Sequence, residues 1–349
     1  MSKTSVTQAL VIGARDDGKG KRNIGGELVS RLRLPNWRTS VLTTSMSVIR
    51  DEGGQTEGAY DASKPEAFAS VLHASSPHIV FVAIPTTDRG ETAWQYVGPS
   101  LSFGAKVVTA EKGIAAWQFD RIDSSLDKID LGAAVGGGNR TLYHPKLQYL
   151  RGRNVTLYGI FNATCSFLGW VLGEGVSPDD AIDQAQRRGI AEPAKPGTTL
   201  SLRSLINGEM SDIRMKTAAF YNKLLAENGN YLVPSDLGEV FLDEDDADRL
   251  ISPHDKRRLL VTITNQAKDA NHHRDTVGRM VAEKDGWHVS IGFVSLGTSP
   301  VADWITSVKD IDNGFLLYVD GHRFRDFGPG AGRVTVDAML EGAYRLLGR

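Results

Sequence analysis

The sequence predicts an α/β protein: a doubly wound parallel sheet followed by a mixed α+β half. Three observations carry that prediction. Short apolar runs alternate with helical patterns through the first third of the chain; those runs are continuous rather than alternating in polarity; and the texture changes near residue 130 at the glycine-rich "VGGGN". Continuous apolar strands separated by helices are strands buried on both faces, as in a parallel sheet covered by helices. A chain of 349 residues with 41% hydrophobic content is long enough for two cores.

Taken in order, the first third reads strand "ALVIG" (9–13), helix "GGELVSRL" (25–32), strand "TSVLTTS" (39–45), helix "EAFASVLHA" (66–74), strand "HIVFVAIP" (78–85), helix "GPSLSFG" (98–104) and strand "AKVVTA" (105–110). Ligands of such sheets bind beyond the carboxyl ends of the strands, so the loops after residues 13, 45, 85 and 108 are the places to inspect. The second half continues with "NVTLYGIFNATCSFL" and then a helix that Ser177 can cap, Pro178 opens, Asp179 and Asp180 support through the helix dipole, and Gly189 ends. Further strands are expected at 259–265, 288–296 and 313–321. Finally "FGPGAGRVTVDAMLEGAYRLL" is a glycine turn feeding a helix, with Val336, Met339, Leu340, Ala343 and Leu347 on one stripe. The domains expected are 1–135 for a dinucleotide, 136–320 for substrate binding and dimerisation, and 321–349 as a C-terminal helix returning to the first.

Composition excludes several classes of partner. A net charge of −2 without a basic tail argues against a nucleic-acid surface. The densest run of charge, "DEDDAD" at 243–248, reads as a solvated acidic loop. One cysteine rules out an internal disulfide framework and a thiolate metal cage and fits a reducing compartment, the cytoplasm by default. No run approaches the roughly 18 apolar residues of a membrane helix, and the N-terminal apolar run is too short for a signal peptide.

The loop "GARDDGKGKRNIGG" after the first strand is ambiguous. From Gly13 it spells G-x-x-x-x-G-K, but a phosphate-binding P-loop needs Ser or Thr after the lysine to hold magnesium, and Gly20 follows Lys19. The alternative is a dinucleotide turn with an insertion, between a strand and a helix N-terminus whose N–H groups face a pyrophosphate. On that reading the sheet is Rossmann-type. The second strand ends in "LTTSMSVIR", with no acid to grip a ribose 2′-hydroxyl; Thr44, Ser45, Ser47 and Arg50 leave room for a 2′-phosphate, so NADP is permitted beside NAD. Lys19, Lys21 and Arg22 either add positive charge there or are simply solvated. Farther on, Asp212 and Lys216 sit four apart and share a face if their segment is helical. A surface pair at that spacing contributes only about 0.3–0.5 kcal/mol, whereas a partly buried lysine beside a carboxylate can transfer protons. Spacing alone leaves both open.

Several segments, in order, resemble the homoserine dehydrogenase family. "KVVTAEKGIAA" resembles its V-V-T-A-N-K segment, "AAVGGGNR" its A-T-V-G-G-G-x-P turn, and "YGIFNATCSFL" its G-I-L-N-G-T-T-N-Y-I. "AIDQAQRRGIAEP" resembles A-x-x-x-A-x-x-x-G-Y-A-E-P/A, "SDIRMK" resembles G-x-D-x-x-R-K, and "SPVADWITSVKDIDNGF" with "FGPGAGRVTVDA" resembles the C-terminal region. The matches run from about 105 to 338.

The resemblance implies a homodimeric NAD(P)-dependent enzyme that interconverts aspartate 4-semialdehyde and homoserine, its cofactor between a nucleotide and a substrate domain. It makes Lys216 the proton donor and acceptor, with Asp212 orienting it or the substrate, and Lys112 a cation for the substrate carboxylate or carbonyl. Glu192, Thr164 and Asn162 would contact substrate. Gly13, Asn23, Ile24, Gly25, Ser45, Pro85, Thr86, Thr87, Lys112 and Gly330 would contact cofactor, and backbone carbonyls of Gly132, Val135, Gly137 and Asn139 would hold a monovalent cation such as Na or K.

The chain departs from the family in its longer phosphate loop, in Glu111 for Asn, Ala163 for Gly, Ser166 for Asn and Ile190 for Tyr, and in the 193–211 segment, which lacks the D-D-L-N-G acidic pair. One of those acids contacts substrate in the family. Another small amino-acid alcohol or semialdehyde is therefore an alternative substrate, and a nucleotide-binding protein without turnover a third reading. The end at Arg349 leads us to expect neither an appended sensing domain nor a fused aspartate kinase.

Overall fold

The computed structural model describes residues 6–15, 23–42, 47–50, 56–59, 67–135, 140–191, 200–239, 242–252, 255–269, 275–330 and 333–348. The chain divides into two units, one of residues 1–134 with 335–349 and one of residues 135–334.

The first unit runs β1 (Thr7–Ile12), α1 (Ile24–Arg31), β2 (Trp37–Leu42), β3 (Ser47–Arg50), β4 (Thr56–Ala59), α2 (Ala67–Ser75), β5 (Ile79–Val82), α3 (Glu91–Phe103), β6 (Lys106–Thr109), α4 (Lys112–Trp117), α5 (Phe119–Ile122) and β7 (Ile129–Asp130). Its seven-stranded sheet has the order β4-β3-β2-β1-β5-β6-β7. β2, β1, β5, β6 and β7 are mutually parallel, as the continuous apolar runs require, and every residue of β5 is buried. β3 and β4 add an antiparallel edge that the sequence reading did not anticipate. Four-residue strands such as "SVIR" and "TEGA" are too short and too polar to show a period. α3 starts seven residues earlier than expected because Pro99 sits inside it, where proline usually marks a start.

The second unit runs β8 (Val155–Ile160), α6 (Ala163–Gly173), α7 (Pro178–Arg187), α8 (Leu202–Leu224), α9 (Glu244–Leu250), β9 (Arg257–Thr264), β10 (Thr276–Lys284), β11 (Trp287–Ser295), α10 (Ala302–Ser307), β12 (Asp312–Val319) and β13 (His322–Pro329). The last helix, α11 (Arg333–Leu347), lies almost wholly in the first unit. The second sheet has the order β10-β11-β9-β8-β12-β13 and is antiparallel throughout. β9 is central and buried along its whole length, and one face packs Tyr158, Ile160, Leu260 and Leu316 against Trp304 and Ile305 of α10. The expected helix after Ser177 is α7, and Ser177 accepts the N–H of Asp180 as its cap.

Two expectations are corrected here. The acidic run "DEDDAD" is not a loop: Asp243 caps α9 through the N–H of Asp246, and three acids follow in the first turn, where the helix dipole stabilises negative charge. The C-terminal segment does not leave the second sheet at 321, because residues 322–329 are β13, paired with β12 from end to end. Only from Thr335 does the chain belong to the first unit, where Val336, Met339 and Ala343 join the core of Ala9, Val11, Leu28, Phe81 and Val108. Burying side chains of this kind contributes about 1.5–3 kcal/mol each for the larger ones. α11 is also tied by charge: the buried Asp130 carboxylate accepts Arg345 Nε at 3.0 Å, and a Cβ at Gly342 would come within 2.5 Å of Asp130 Oδ1. Among the described residues no helix is long and apolar enough to cross a membrane.

Candidate functional site

Candidate residues gather in two places, one in each unit. In the first unit they stand at the carboxyl ends of β1, β5 and β6. Gly13 ends β1 with φ +88°, and a Cβ there would lie 2.4 Å from the Ala83 carbonyl oxygen beyond β5. Asn23 then caps α1. Its side-chain oxygen accepts the N–H groups of Gly26 and Arg15, both at 2.9 Å, and its amide donates to the Gly13 carbonyl at 2.6 Å. Gly25 closes the turn, since a Cβ there would meet the Ala14 backbone at 2.8 Å, and the exposed Ile24 opens the helix. A strand, a turn with glycine at each close approach and a helix N-terminus fit a dinucleotide pyrophosphate. Residues 16–22 of the insertion and Ser45 lie outside the described residues.

Beyond β5, Thr86 Oγ1 accepts the backbone N–H of Lys112 at 3.3 Å, and the Thr87 carbonyl accepts the N–H of Gly90 at 2.8 Å. Gly90 and Gly113 stand backbone to backbone: a Cβ on Gly113 would be 2.7 Å from Gly90. The loop carrying Pro85, Thr86 and Thr87 is thus held against the loop carrying Lys112. Glu111 explains its own departure from asparagine. Its carboxylate, 1% exposed, reaches two N–H groups at the start of α4, Gly113 at 2.7 Å and Ile114 at 2.8 Å. Lys112 is the first residue of α4 and is half-buried.

In the second unit the candidates meet where α6 faces α8. The segment that carries Asp212 and Lys216 is helical: Ser201 and Ser204 cap each other's backbone N–H, and α8 carries both residues through its middle. Lys216 Nζ is 2.7 Å from Asp212 Oδ2, with side chains only 15% and 19% exposed. Asn162, buried ahead of α6, caps it by accepting the N–H of Cys165 at 2.8 Å. Its amide nitrogen turns to α8 and donates to Asp212 Oδ2 at 3.0 Å and to Glu209 Oε2 at 2.6 Å. Thr164, also buried, donates to the Ile190 carbonyl at 3.1 Å. Ser166 donates to the Asp312 carbonyl and accepts from Arg258, whose guanidinium is buried with no carboxylate partner among the described residues; burial brings its pKa down to about 10.

Glu209 was missed from the sequence, although "EMSDIRMK" spaces Glu209, Asp212 and Lys216 at i, i+3 and i+7, one helical face. Burial pushes the Glu209 carboxyl above its usual range and the neighbouring Asp212 charge adds to this, while the hydrogen bond from Asn162, the Lys216 charge and contact with the Thr164 hydroxyl pull it back. Burial likewise raises the Cys165 thiol and so disfavours its thiolate.

Gly330 lies in the second unit beside β12. Its N–H donates to the Ile311 carbonyl at 3.0 Å, and a Cβ there would meet the Asn313 amide at 2.4 Å. That amide is fully buried and has no hydrogen-bond partner among the described residues. Of the residues expected to ligate a cation, Gly132 in the first unit donates its N–H to Asp130 Oδ1 at 2.8 Å, Val135 in the second is buried, and Gly137 and Asn139 lie outside the described residues. Among the described residues no three His, Cys, Asp or Glu side chains converge as metal ligands. Glu192 also lies outside them.

A Rossmann-type parallel sheet with a glycine turn after its first strand, joined to an antiparallel α+β unit, defines the class of this protein. Within that class, the fold is the one found in homoserine dehydrogenases. The enzyme of that name from Thermoplasma acidophilum superposes with a TM-score of 0.66 at 17% identity, over 99% of this chain and 100% of the other. A putative homoserine dehydrogenase from Archaeoglobus fulgidus gives 0.63 at 18% identity over 98% and 99%. A hyperthermophilic archaeal homoserine dehydrogenase in complex with NADPH gives 0.61 at 16% identity over 98% and 97%. In sequence, the chain is 29% identical over 122 residues to the homoserine dehydrogenase of Sulfurisphaera tokodaii, a match spanning 33% of this chain and 38% of that protein. No family model matches the chain.

Proposed function

We propose that the chain is an NAD(P)-dependent oxidoreductase that interconverts L-aspartate 4-semialdehyde and L-homoserine. The observation that carries this is the Lys216–Asp212 pair, held at 2.7 Å on α8 and tied to α6 through Asn162. An exposed ion pair needs no such support, whereas a proton-transfer lysine must be held in one place. The glycine turn after β1 fits the pyrophosphate of the cofactor, with Gly13, Asn23, Ile24 and Gly25 around it, and the family resemblance assigns Ser45 to the ribose and Pro85, Thr86, Thr87 and Gly330 to the nicotinamide. The NADPH complex of a protein with this fold favours NADP, and NAD remains the alternative.

When bound, the nicotinamide supplies or accepts the hydride. Everything else falls to the chain. Lys216 gives a proton to the carbonyl oxygen as the aldehyde becomes an alcohol, and its amine takes the proton from the hydroxyl in reverse. Asp212 holds the ammonium in place. Lys112 pairs with the substrate carboxylate or polarises the carbonyl, and Glu192, Thr164 and Asn162 line the substrate.

The sequence lacks the family's acidic pair before Asp212, which raised another amino alcohol as substrate. Glu209 places a second carboxyl beside Asp212 through Asn162, so the face that carries Lys216 still holds two acids. The test is NADPH oxidation with aspartate semialdehyde against a panel of short aldehydes. Activity with the semialdehyde that disappears in Lys216→Ala supports the proposal. Activity only with another aldehyde moves it to that substrate, and cofactor binding without turnover makes the chain a nucleotide-binding protein. The same reading expects a cytoplasmic homodimer, which sedimentation checks for its oligomeric part.

A further inference from the structure

Asn162 spends every hydrogen-bonding atom of its side chain. The oxygen accepts from Cys165 N at the start of α6, and the amide nitrogen, with two hydrogens, donates to Glu209 and to Asp212. The assignment of oxygen and nitrogen is forced, because a helix N-terminus offers a donor and two carboxyl groups offer acceptors. The result is a fixed chain of contacts: Glu209 to Asn162, Asn162 to Asp212, Asp212 to Lys216, at 2.6, 3.0 and 2.7 Å. Without Glu209 the amide would keep one carboxyl partner on α8 instead of two, and would be free to turn away from Asp212.

We infer that Glu209 is a positioning residue for Lys216, acting through the Asn162 carboxamide that ties its carboxyl to the Asp212 carboxylate. The inference rests on the reading of Lys216 as the proton-transfer residue. A second carboxyl this close to Asp212 also shapes the charge that Lys216 meets. Among the described residues, the titratable groups facing it are Asp212 and Lys216 from α8 and the Cys165 thiol from α6. Burial and the Asp212 charge hold the Glu209 proton to higher pH than an ordinary glutamate. Once ionised, Glu209 adds a second negative charge beside the lysine. The proton-transfer rate should therefore carry the titration of Glu209 in its pH dependence.

The experiment measures homoserine oxidation by NADP across pH 6–10 for Glu209→Ala, Glu209→Gln, Asn162→Ala and the Glu209→Ala/Asn162→Ala double variant, with Lys216→Ala alongside and thermal melts of each. Glu209→Ala is expected to lower kcat by about 10- to 100-fold, the usual cost of losing a group that orients a catalytic one, with the KM for cofactor unchanged. Asn162→Ala added to it should cost little more, because both act through one link. In Glu209→Gln the amide oxygen still accepts from Asn162, so most of kcat returns, but the rising limb of the pH profile moves to lower pH because no charge can form there. A merely structural glutamate would change the melting temperature without moving that limb. A wild-type kcat and pH profile in Glu209→Gln and Glu209→Ala, with Lys216→Ala inactive, would overturn the inference and leave the proposed function standing. If Glu209→Ala does not fold, an unmoved limb in Glu209→Gln alone overturns it. Normal turnover by Lys216→Ala would instead defeat the proposed function, and this inference with it.

Discussion

The two units prepare their candidate sites by different means. In the first, position is a matter of backbone: Gly13, Gly25, Gly90 and Gly113 each stand where a Cβ would strike neighbouring main chain, and the helix ends there are closed by Asn23 and Glu111. In the second, position is a matter of side chains: Asn162 spans from the start of α6 to two carboxyl groups of α8, one of which holds Lys216. The difference follows from what each site would handle. A pyrophosphate is bound by N–H groups and a helix dipole, which need only a shaped backbone. A proton is moved by one titratable group, whose neighbours must be chosen atom by atom.

Substitutions at four positions sharpen or break that contrast. The largest effect is expected for Lys216→Ala, which should lower kcat by about 10²- to 10⁴-fold while NADPH binding, followed by fluorescence, stays as it was. Loss of binding together with turnover would mean that the two functions are not separately built. Gly13→Ala should do the reverse. At φ +88° and 2.4 Å from a carbonyl oxygen, an added Cβ is expected to cost about 2–4 kcal/mol, lower the melting temperature by roughly 5–10 °C, and weaken NADPH binding. Wild-type affinity in this variant would end the backbone account.

Glu111→Ala comes next. It leaves the buried N–H groups of Gly113 and Ile114 without their acceptors, at a cost of about 1–3 kcal/mol, and Glu111→Gln should recover part of this in chemical denaturation. The smallest effect is one of pH. The Glu209 carboxyl holds its proton more tightly folded than unfolded. Its contribution to stability is therefore full below the ordinary glutamate range and is lost as pH rises through the raised folded value. Glu209→Gln should melt above the wild type at pH 8 and draw level with it near pH 4. A constant difference across that range would show that the carboxyl does not titrate against its neighbours.

Legibility in the sequence followed the same division. The parallel strands β1, β5 and β6 could be read because burial on both faces demands unbroken apolar runs, and α7 because Ser177, Pro178 and two aspartates announce a helix start. β10 and β13 escaped notice: both are edge strands, half-polar, and β13 alternates exposed and half-buried residues without a hydrophobic face. "DEDDAD" misled because acids in a first helical turn and acids in a loop look alike until the cap is seen. At the candidate site, the spacing of Asp212 and Lys216 showed a shared face but not its burial. Glu209 had the right spacing too, yet as one more charge on a long helix it carried no mark of its own.

The sequence by itself determined the parallel sheet, the glycine turn at its first strand and the helical register that places Asp212 beside Lys216, because apolar period, glycine and i, i+4 spacing are local properties. Only the tertiary structure decided that α6 lies against that face of α8, so that one asparagine 47 residues from Glu209 and 50 from Asp212 joins both carboxyl groups. The physical reason is that burial and hydrogen bonding across such separations depend on how helices pack, and packing is written in no single stretch of chain.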